Sequence, residues 1–482
     1  MAVIAAFVLN AGLNFVLGLL IATLLGPEDF GRFALAAAGA VVLNTLLFEW
    51  LRLSATRFYS ARVREAEPWI RAGLDRAYAA IGLALLAGAS LCAGLGLWID
   101  PTPQGRLALA AATVFAAIGV GAFDYHAALA RARFVGGTYL RLVVWKNVFG
   151  VAMMGGTAYL FPQPVWVMLA GGGSQLAAVL IMRRALHDRP AAPDRALARE
   201  ALLRFAAYGL PLIAANAVYQ LMPFLNRSVL AASAGFAQAG YFALAADLGS
   251  RVFSTFGTAL DLLLFQLAVQ AEEHHGRAAA EAQVSRNVAV VAALLLPAAA
   301  GYWAVTPALQ GLVVPQEFRG PFALYTGLLL PGLVGLSLMN FALNPIFQIR
   351  RRTRPVIAAA ALGLVVNAGA LAVLPRLYGP AGVAAAQTLG LSAAVGLLAW
   401  RALTGAGRLA LPWRDIAFAA GGSGIMALIL LPLRDLEPML ALTLCVGVGV
   451  GFYAVLVLRF DVAGLRSATM ERLRPRQALP AE

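Results

Sequence analysis

The chain has 482 residues, of which 61% are hydrophobic and only 12% are charged, and its mean hydropathy is +0.79. An average soluble domain carries roughly a quarter of charged residues, so this composition excludes a water-soluble globular fold. On a soluble chain the net charge of +14 would suggest nucleic-acid binding, whereas in a membrane protein it is read as a topology signal.

Long apolar runs follow one another along the whole chain. A membrane-crossing helix needs about 20 mainly apolar residues, because every backbone N–H and C=O must be paired within the segment. The runs therefore predict an all-α integral membrane protein with about fourteen transmembrane helices. In chain order the predicted spans are 3–24, 34–55, 77–98, 107–129, 143–161, 165–185, 206–230, 240–268, 287–308, 322–347, 356–374, 381–402, 415–433 and 439–458.

The basic residues alternate between the two sides of this arrangement. Most of the 37 Lys and Arg side chains fall in the even-numbered connections and the tail. The odd-numbered connections hold only Arg32, Arg106, Arg319, Arg376 and Arg434. Because short cytoplasmic loops are enriched in Lys and Arg, we expect both termini in the cytoplasm of a multi-pass protein of the bacterial cytoplasmic membrane.

A short repeat divides the chain. The sequence 26–36 after the first span and the sequence 235–245 after the seventh match at six of eleven positions, and six spans separate them. Both copies therefore share one orientation, which predicts two parallel six-helix bundles. The predicted domains are 1–190 for the first bundle, 191–205 for a cytoplasmic linker, 206–403 for the second bundle, and 404–482 for two additional transmembrane helices and a cytoplasmic tail.

Three stretches carry a family resemblance: 25–36; 208–212 with 224–227 and 240–244; and 365–369 with 374–379 and 382–386. They resemble the polysaccharide exporters, the Wzx-like flippases of O-antigen and lipid-linked oligosaccharides. That family belongs to the multidrug/oligosaccharidyl-lipid/polysaccharide (MOP) superfamily, which also holds the multidrug and toxin extrusion (MATE) transporters and the lipid II flippases. The resemblance implies a MATE-like fold.

The same resemblance implies a flippase that moves a polyprenyl-pyrophosphate-linked oligosaccharide or related polysaccharide precursor across the membrane by alternating access. Such a protein is not an enzyme and needs no cofactor. Its expected partners are the lipid-linked saccharide, membrane lipids, and polysaccharide polymerase or glycosyltransferase proteins, with no nucleic acid.

Three other functions remain open. A cation-coupled multidrug exporter of the same superfamily would want an acid in the first span, which has none. A membrane-embedded glycosyltransferase would need a large outer loop with catalytic residues, and the predicted outer loops are short. A non-transporting scaffold for polysaccharide assembly would keep the same fold.

Ionisable residues within the spans are the candidate site, since each costs about 2.5–3.5 kcal/mol to insert and usually faces a cavity. With two amides of the first span, the predicted cavity residues are Arg227, Arg251, Asp247, Glu49, Arg52, Asp124, Lys146, Asp261, Asn10 and Asn14. Arginine suits a pyrophosphate because its planar fork binds phosphate oxygens in pairs.

Structural roles are open for the same residues. Asp247 and Arg251 are spaced i,i+4, and Glu49 and Arg52 i,i+3, so each pair can neutralise itself on one helix face. The amides can equally make contacts between helices.

Two further expectations concern bending and metals. Pro211 and Pro223 are predicted bending points in the seventh span. No metal site is expected, because the histidines have no acidic or histidine partners at ligand spacing. Cys92 and Cys445 are expected to be packing residues.

Overall fold

The computed structural model describes residues 2–59, 67, 69–99, 105–133, 136–187, 195–350, 352, 354–404 and 409–467. Within these ranges the chain is helical and contains no β-strand. The prediction of an all-α membrane protein is confirmed.

The helices follow the apolar runs. They are α1 Ala2–Leu47, α2 Glu49–Phe58, α3 Trp69–Ile99, α4 Arg106–Ala132, α5 Gly136–Phe149, α6 Gly156–Leu160, α7 Pro164–Ile181, α8 Arg183–Leu186, α9 Arg195–Ala234, α10 Phe236–Leu312, α11 Pro321–Leu338, α12 Asn344–Ile349, α13 Arg354–Tyr378, α14 Ala381–Leu403, α15 Trp413–Leu430 and α16 Pro438–Phe460. Two π-helical turns, Gly150–Gly155 and Met339–Leu343, join α5 to α6 and α11 to α12.

Among the described residues, ten helices are long and apolar enough to cross a bilayer. The number is eleven if the two segments of the bent α9 together form one span. The larger sequence-based number arises because α1 and α10 each hold two predicted spans, and because the predicted span 143–161 is divided among α5, a π-helical turn and α6, none of which is counted. Gly26 at φ 68° breaks α1, and Gly276 at φ 79° breaks α10. These backbone angles favour glycine, since a side chain would clash there.

The seventh predicted span lies on α9. This helix bends by 57° between Arg199–Leu210 and Ile213–Ala234, an interval that contains Pro211. A proline removes one ladder hydrogen bond and clashes with the preceding turn, which favours a bend at that point. The helix continues through Pro223.

Contacts divide the chain into two compact units. The first consists of Met1–Leu244 and Leu371–Val383, and the second of Ala245–Ala370 and Ala384–Glu482. The predicted division into two bundles and a linker stays a prediction.

In the first unit, α4 and α7 approach through glycines: a Cβ on Gly119 would lie 2.4 Å from the carbonyl oxygen of Gly172. Small residues let membrane helices pack backbone to backbone. An aromatic core lies nearby, with Phe48, Tyr125 and Phe205 each at most 2% exposed. This packing involves α2, α4 and α9, which carry four of the ten predicted site residues: Glu49, Arg52, Asp124 and Arg227.

In the second unit, α13 and α14 pack in the same way, with a Cβ on Gly363 placed 2.9 Å from the carbonyl oxygen of Gly390. Helices α15 and α16 share an apolar cluster that includes Met426, Cys445 and Tyr453. Cys445 is a buried free thiol and Cys92 a half-buried one.

Candidate functional site

The two copies of the repeat meet each other in the first unit. A Cβ on Gly31 would lie 1.9 Å from the carbonyl oxygen of Phe236, and a Cβ on Gly240 would lie 2.2 Å from that of Pro27. Gly31 aligns with Gly240, and Pro27 with Phe236, so the two contacts are equivalent under the repeat. We call these four residues the glycine seam. The seam lies at the N-terminal ends of the predicted second and eighth spans.

The same backbone geometry precedes both halves of the seam. Gly26 and Gly235, the first residues of the two repeat copies, have positive φ angles of 68° and 91°. Each turns the chain before a helix that must approach its partner backbone closely. The repeat identified in the sequence therefore has a structural purpose, which is to bring two helix starts into direct contact.

A charged residue braces this region. Arg32 donates to Asp29 and to Glu28, each at 2.8 Å, and its guanidinium lies 5.1 Å from the centre of the Phe236 ring. The arginine thus links the start of one repeat copy to the start of the other. A cation over an aromatic face contributes about 0.5–1 kcal/mol at an exposed position.

Arg227, one of the predicted cavity residues, is buried beside the seam. Its side chain is 5% exposed, and Nη1 donates to the carbonyl oxygen of Ala34 at 2.8 Å. The neighbouring Asn226 is fully buried. The guanidinium therefore joins α9 to the second half of α1, at a residue of the first repeat copy. Its predicted role in binding substrate stays a prediction.

Glu49 and Arg52 form the ion pair that their spacing allows, through Oε1 of Glu49 and Nη2 of Arg52. The second carboxylate oxygen, Oε2, accepts a hydrogen bond from Nδ2 of Asn216 at 2.7 Å. Glu49 is 8% exposed. The pair is therefore local, yet it also ties α2 to α9 through an amide from a distant part of the sequence.

Neutralising Glu49 should destabilise the protein. In Glu49→Gln the Arg52 guanidinium loses its counter-charge, and we expect the free energy of unfolding to fall by about 1–3 kcal/mol. In Glu49→Gln/Arg52→Gln part of that loss should return, because no uncompensated charge remains. Denaturant unfolding in mixed micelles measures both variants.

The control for this prediction is Glu28→Gln, which removes the partner of another arginine on a surface where the glutamate side chain is 65% exposed. Exposed ion pairs contribute between zero and about 1 kcal/mol. Equal losses in Glu49→Gln and Glu28→Gln would contradict a special role for the buried pair.

Asn10, Asn14 and Lys146 come together with Asn147 between α1 and α5. The Oδ1 atom of Asn10 accepts from Asn14 Nδ2 at 2.8 Å, from Lys146 Nζ at 3.1 Å and from Asn147 Nδ2 at 3.3 Å. The ammonium of Lys146 also lies 5.1 Å from the centre of the Phe123 ring. Three of the predicted residues thus form one polar cluster, and one oxygen holds it together.

Asp124 makes a different contact between helices. Its Oδ2 atom accepts from Nδ2 of Asn44 at 3.3 Å, which links α4 to α1. Asn44 and Asn147 were not among the predicted site residues. Their signal in the sequence was an amide within an apolar span, the same signal that singled out Asn10 and Asn14.

Arg251 and Asp247 belong to the second unit. The Nη1 atom of Arg251 is buried and has no hydrogen-bond acceptor among the described residues. The predicted cavity roles of Arg251 and Asp247 stay predictions. The side chain of Asp261 lies outside the described residues.

A further charged cluster lies near the ends of α3, α4 and α8. Arg71 Nε donates to both carboxylate oxygens of Asp75 at 2.8 and 2.9 Å, and the Tyr125 hydroxyl donates to Asp75 Oδ1 at 2.6 Å. The carbonyl oxygen of Leu186 accepts from Arg71 at 3.3 Å and from Arg133 at 2.9 Å. The sequence indicated these arginines only as topology signals, and their joint contact depends on the fold.

Among the described residues, no group of three or more His, Cys, Asp or Glu side chains is arranged to hold a metal ion.

Comparison with known proteins gives the fold. No protein-family model and no curated protein matches the sequence. The structure is similar to the lipid II flippase MurJ in an inward closed conformation, with a TM-score of 0.76 and 13% identity over 96% of this chain and 99% of that one.

Two further solved structures share the fold. The inward-facing form of a MATE-family multidrug resistance transporter of the MOP superfamily has a TM-score of 0.58 and 16% identity, over 81% of this chain and 93% of that one. A MOP superfamily transporter from Pyrococcus furiosus has a TM-score of 0.52 and 16% identity, over 83% and 92%. The chain is thus a multi-pass membrane protein with the fold of MOP-superfamily transporters. At these identities the likeness concerns the fold alone.

Proposed function

We propose that this protein is a flippase that carries a polyprenyl-pyrophosphate-linked saccharide from the inner to the outer leaflet of the bacterial cytoplasmic membrane by alternating access. It performs no covalent chemistry, and both of its termini lie in the cytoplasm. The observation that carries the proposal is the glycine seam, a close backbone contact between the two repeat copies, which the proposed topology puts at the outer side.

A seam of this kind suits a gate. Two helix starts meet through backbone atoms, so no interlocked side chains must be disengaged when they part. Alternating access requires such a contact to form in one state and separate in the other. We expect the outer seam to be closed while the headgroup enters from the cytoplasmic side, and open when the headgroup leaves.

The polar groups suit the headgroup. In this proposal Arg227 of the first unit and Arg251 of the second are each candidate ligands of the pyrophosphate, because the guanidinium fork matches phosphate oxygens. The amides of Asn10 and Asn14 and the carboxylate of Glu49 would bind saccharide hydroxyls only by exchanging the contacts that they make with each other and with Asn216. The polyprenyl tail stays in the bilayer. Polysaccharide polymerase or glycosyltransferase proteins are the expected partners, as suppliers and users of the lipid-linked substrate.

Fold similarity favours a lipid-linked substrate over a drug. The TM-score is 0.76 for the lipid II flippase and 0.58 for the multidrug transporter, and coverage of this chain falls from 96% to 81%. The neighbour is named as a flippase of lipid II, and Arg227 and Arg251 are the cationic groups that a pyrophosphate substrate would need in this chain.

The test is a flipping assay in vesicles. The purified full chain is reconstituted in vesicles that hold a fluorescent polyprenyl-pyrophosphate oligosaccharide or lipid II, and a membrane-impermeant quencher reports outer-leaflet exposure. We expect at least a tenfold faster rate than in protein-free vesicles for one of these lipids. No acceleration with either lipid, together with uptake of a cationic dye driven by an ion gradient, would show that the protein is a multidrug exporter instead.

A further inference from the structure

The first unit contains a cavity of about 780 Å³ whose lining includes Phe236 of the glycine seam. It lies between the second half of α1, the first turns of α4 and the end of α9. We call it the Arg106 cavity. Its volume falls within the range of about 300–1,000 Å³ that is usual for small-molecule sites.

The walls of the Arg106 cavity are apolar. Leu35, Val42, Leu109, Val114 and Phe224 supply most of the large side chains. A wall of this kind fits a hydrocarbon chain, and it offers no group that would select a saccharide.

Two hydroxyl groups in the wall are already used. Thr113 donates to the carbonyl oxygen of Leu109, and Ser228 to that of Phe224, each at 2.8 Å within its own helix. A saccharide would leave its own hydroxyl groups without partners here, so the carrier-linked substrate is a poor fit for this cavity.

The rim has one positive charge. Arg106 is the single charged residue among the described residues that line the cavity. Its side chain is exposed, and the structure records no ion pair or hydrogen bond for it among the described residues. Arg106 also begins α4, a helix of 27 residues whose N-cap, Gly105, provides no side-chain cap. The positive end of the helix and the guanidinium therefore act at the same place.

We propose that the Arg106 cavity binds an anionic phospholipid of the outer leaflet. The phosphate contacts Arg106 and the first backbone N–H groups of α4, and one acyl chain lies along the apolar wall. The inference rests on the topology of the proposed function, in which Arg106 lies in an outer connection and the phosphate at headgroup depth. It does not depend on which substrate is translocated.

The experiment is a titration of the full-length protein with phosphatidylglycerol and with phosphatidylcholine of the same chains, followed by native mass spectrometry. The wild-type protein should bind phosphatidylglycerol about tenfold more tightly, and Arg106→Gln should remove that preference, since one charge-assisted hydrogen bond of this kind corresponds to about a tenfold change. Arg376→Gln is the matched control, because Arg376 is another exposed arginine of an outer connection and does not line the cavity.

A second variant tests the acyl-chain part of the cavity. Ala110 lines the cavity and is exposed, so Ala110→Phe should fill space without disturbing the core and should weaken binding of both phospholipids. If Ala110→Phe unfolds at a lower temperature than the wild type, Ala110→Leu replaces it. Equal affinity of the wild type and Arg106→Gln for phosphatidylglycerol would overturn the proposal, and so would an equal loss in Arg376→Gln. Tighter binding of a polyprenyl pyrophosphate than of phosphatidylglycerol would also overturn it.

Discussion

Leucine in place of Gly31 or Gly240 is expected to reduce lipid translocation at least tenfold. A Cβ at either position would lie 1.9 or 2.2 Å from a carbonyl oxygen of the opposite repeat copy, much closer than van der Waals contact. The obstacle is backbone, which cannot rotate away as a side chain can. Overpacking of this kind costs about 1–3 kcal/mol, so the closed seam should lose roughly 5- to 150-fold in population.

The measurement combines flipping rates with the distance between spin labels on the two helix starts, at Glu28 and Ala237. Both variants should show the longer distance even without substrate. Gly12→Leu is the control, because Gly12 lies in the same helix as Gly31 and a Cβ there would meet no atom within 4 Å. A normal distance distribution with a slow flipping rate would contradict the gate, and so would full activity in both variants.

The double substitution sharpens this prediction. Gly31 and Gly240 occupy equivalent positions in one contact, so once a first side chain holds the helices apart, a second one should cost little more. We expect Gly31→Ala/Gly240→Ala to be less harmful than the two single effects added together. Strict additivity would mean that the two glycines belong to independent contacts.

One part of the glycine seam could be predicted from the sequence and another part could not. The repeat at 26–36 and 235–245, and the glycines that begin it, could be recognised from matching letters. Their mutual contact could not, because the sequence gives each turn a position along the chain but no partner across it. The hydropathy pattern likewise placed helix on every described stretch that it predicted as a span. Gly26 and Gly276 turn the chain within two unusually long helices, and the pattern could not show that these helices continue on either side of the turn.

In the candidate site, contacts within one helix could be predicted from the sequence, and contacts between distant segments could not. Local pairs such as Glu49 and Arg52 could be predicted, because their spacing on one helix fixes their distance. Asp247 and Arg251 have comparable spacing, yet the Nη1 atom of Arg251 has no hydrogen-bond acceptor among the described residues. Contacts between distant segments, such as Asn216 with Glu49 or Arg227 with the Ala34 carbonyl, depend on which helices pack together. An ionisable residue in an apolar span therefore indicates a buried polar contact without identifying the partner.

Neutralising Arg251 and neutralising Arg227 should have different effects on stability. Arg251→Gln is expected to slow translocation about tenfold while leaving the free energy of unfolding nearly unchanged, because the buried Nη1 atom has no acceptor among the described residues to lose. Arg251→Lys should recover part of the rate, since an ammonium keeps the charge but not the paired geometry of the guanidinium. Arg227→Gln removes the hydrogen bond to Ala34 and should lower the free energy of unfolding by about 1–3 kcal/mol in addition to slowing translocation.

Flipping rates per folded molecule distinguish a role in binding from a role in packing. If both arginines bind the pyrophosphate, the double variant Arg227→Gln/Arg251→Gln should flip the lipid roughly a hundredfold more slowly than the wild type, while Arg376→Gln flips it at the normal rate. A stability loss in Arg227→Gln with an unchanged rate per folded molecule would make that residue a structural brace between α9 and α1. Translocation that survives both neutralisations would show that the pyrophosphate is bound elsewhere. In that case the polar cluster around Asn10 and Lys146 becomes the next place to examine, because it contains a cation and three amides in mutual contact.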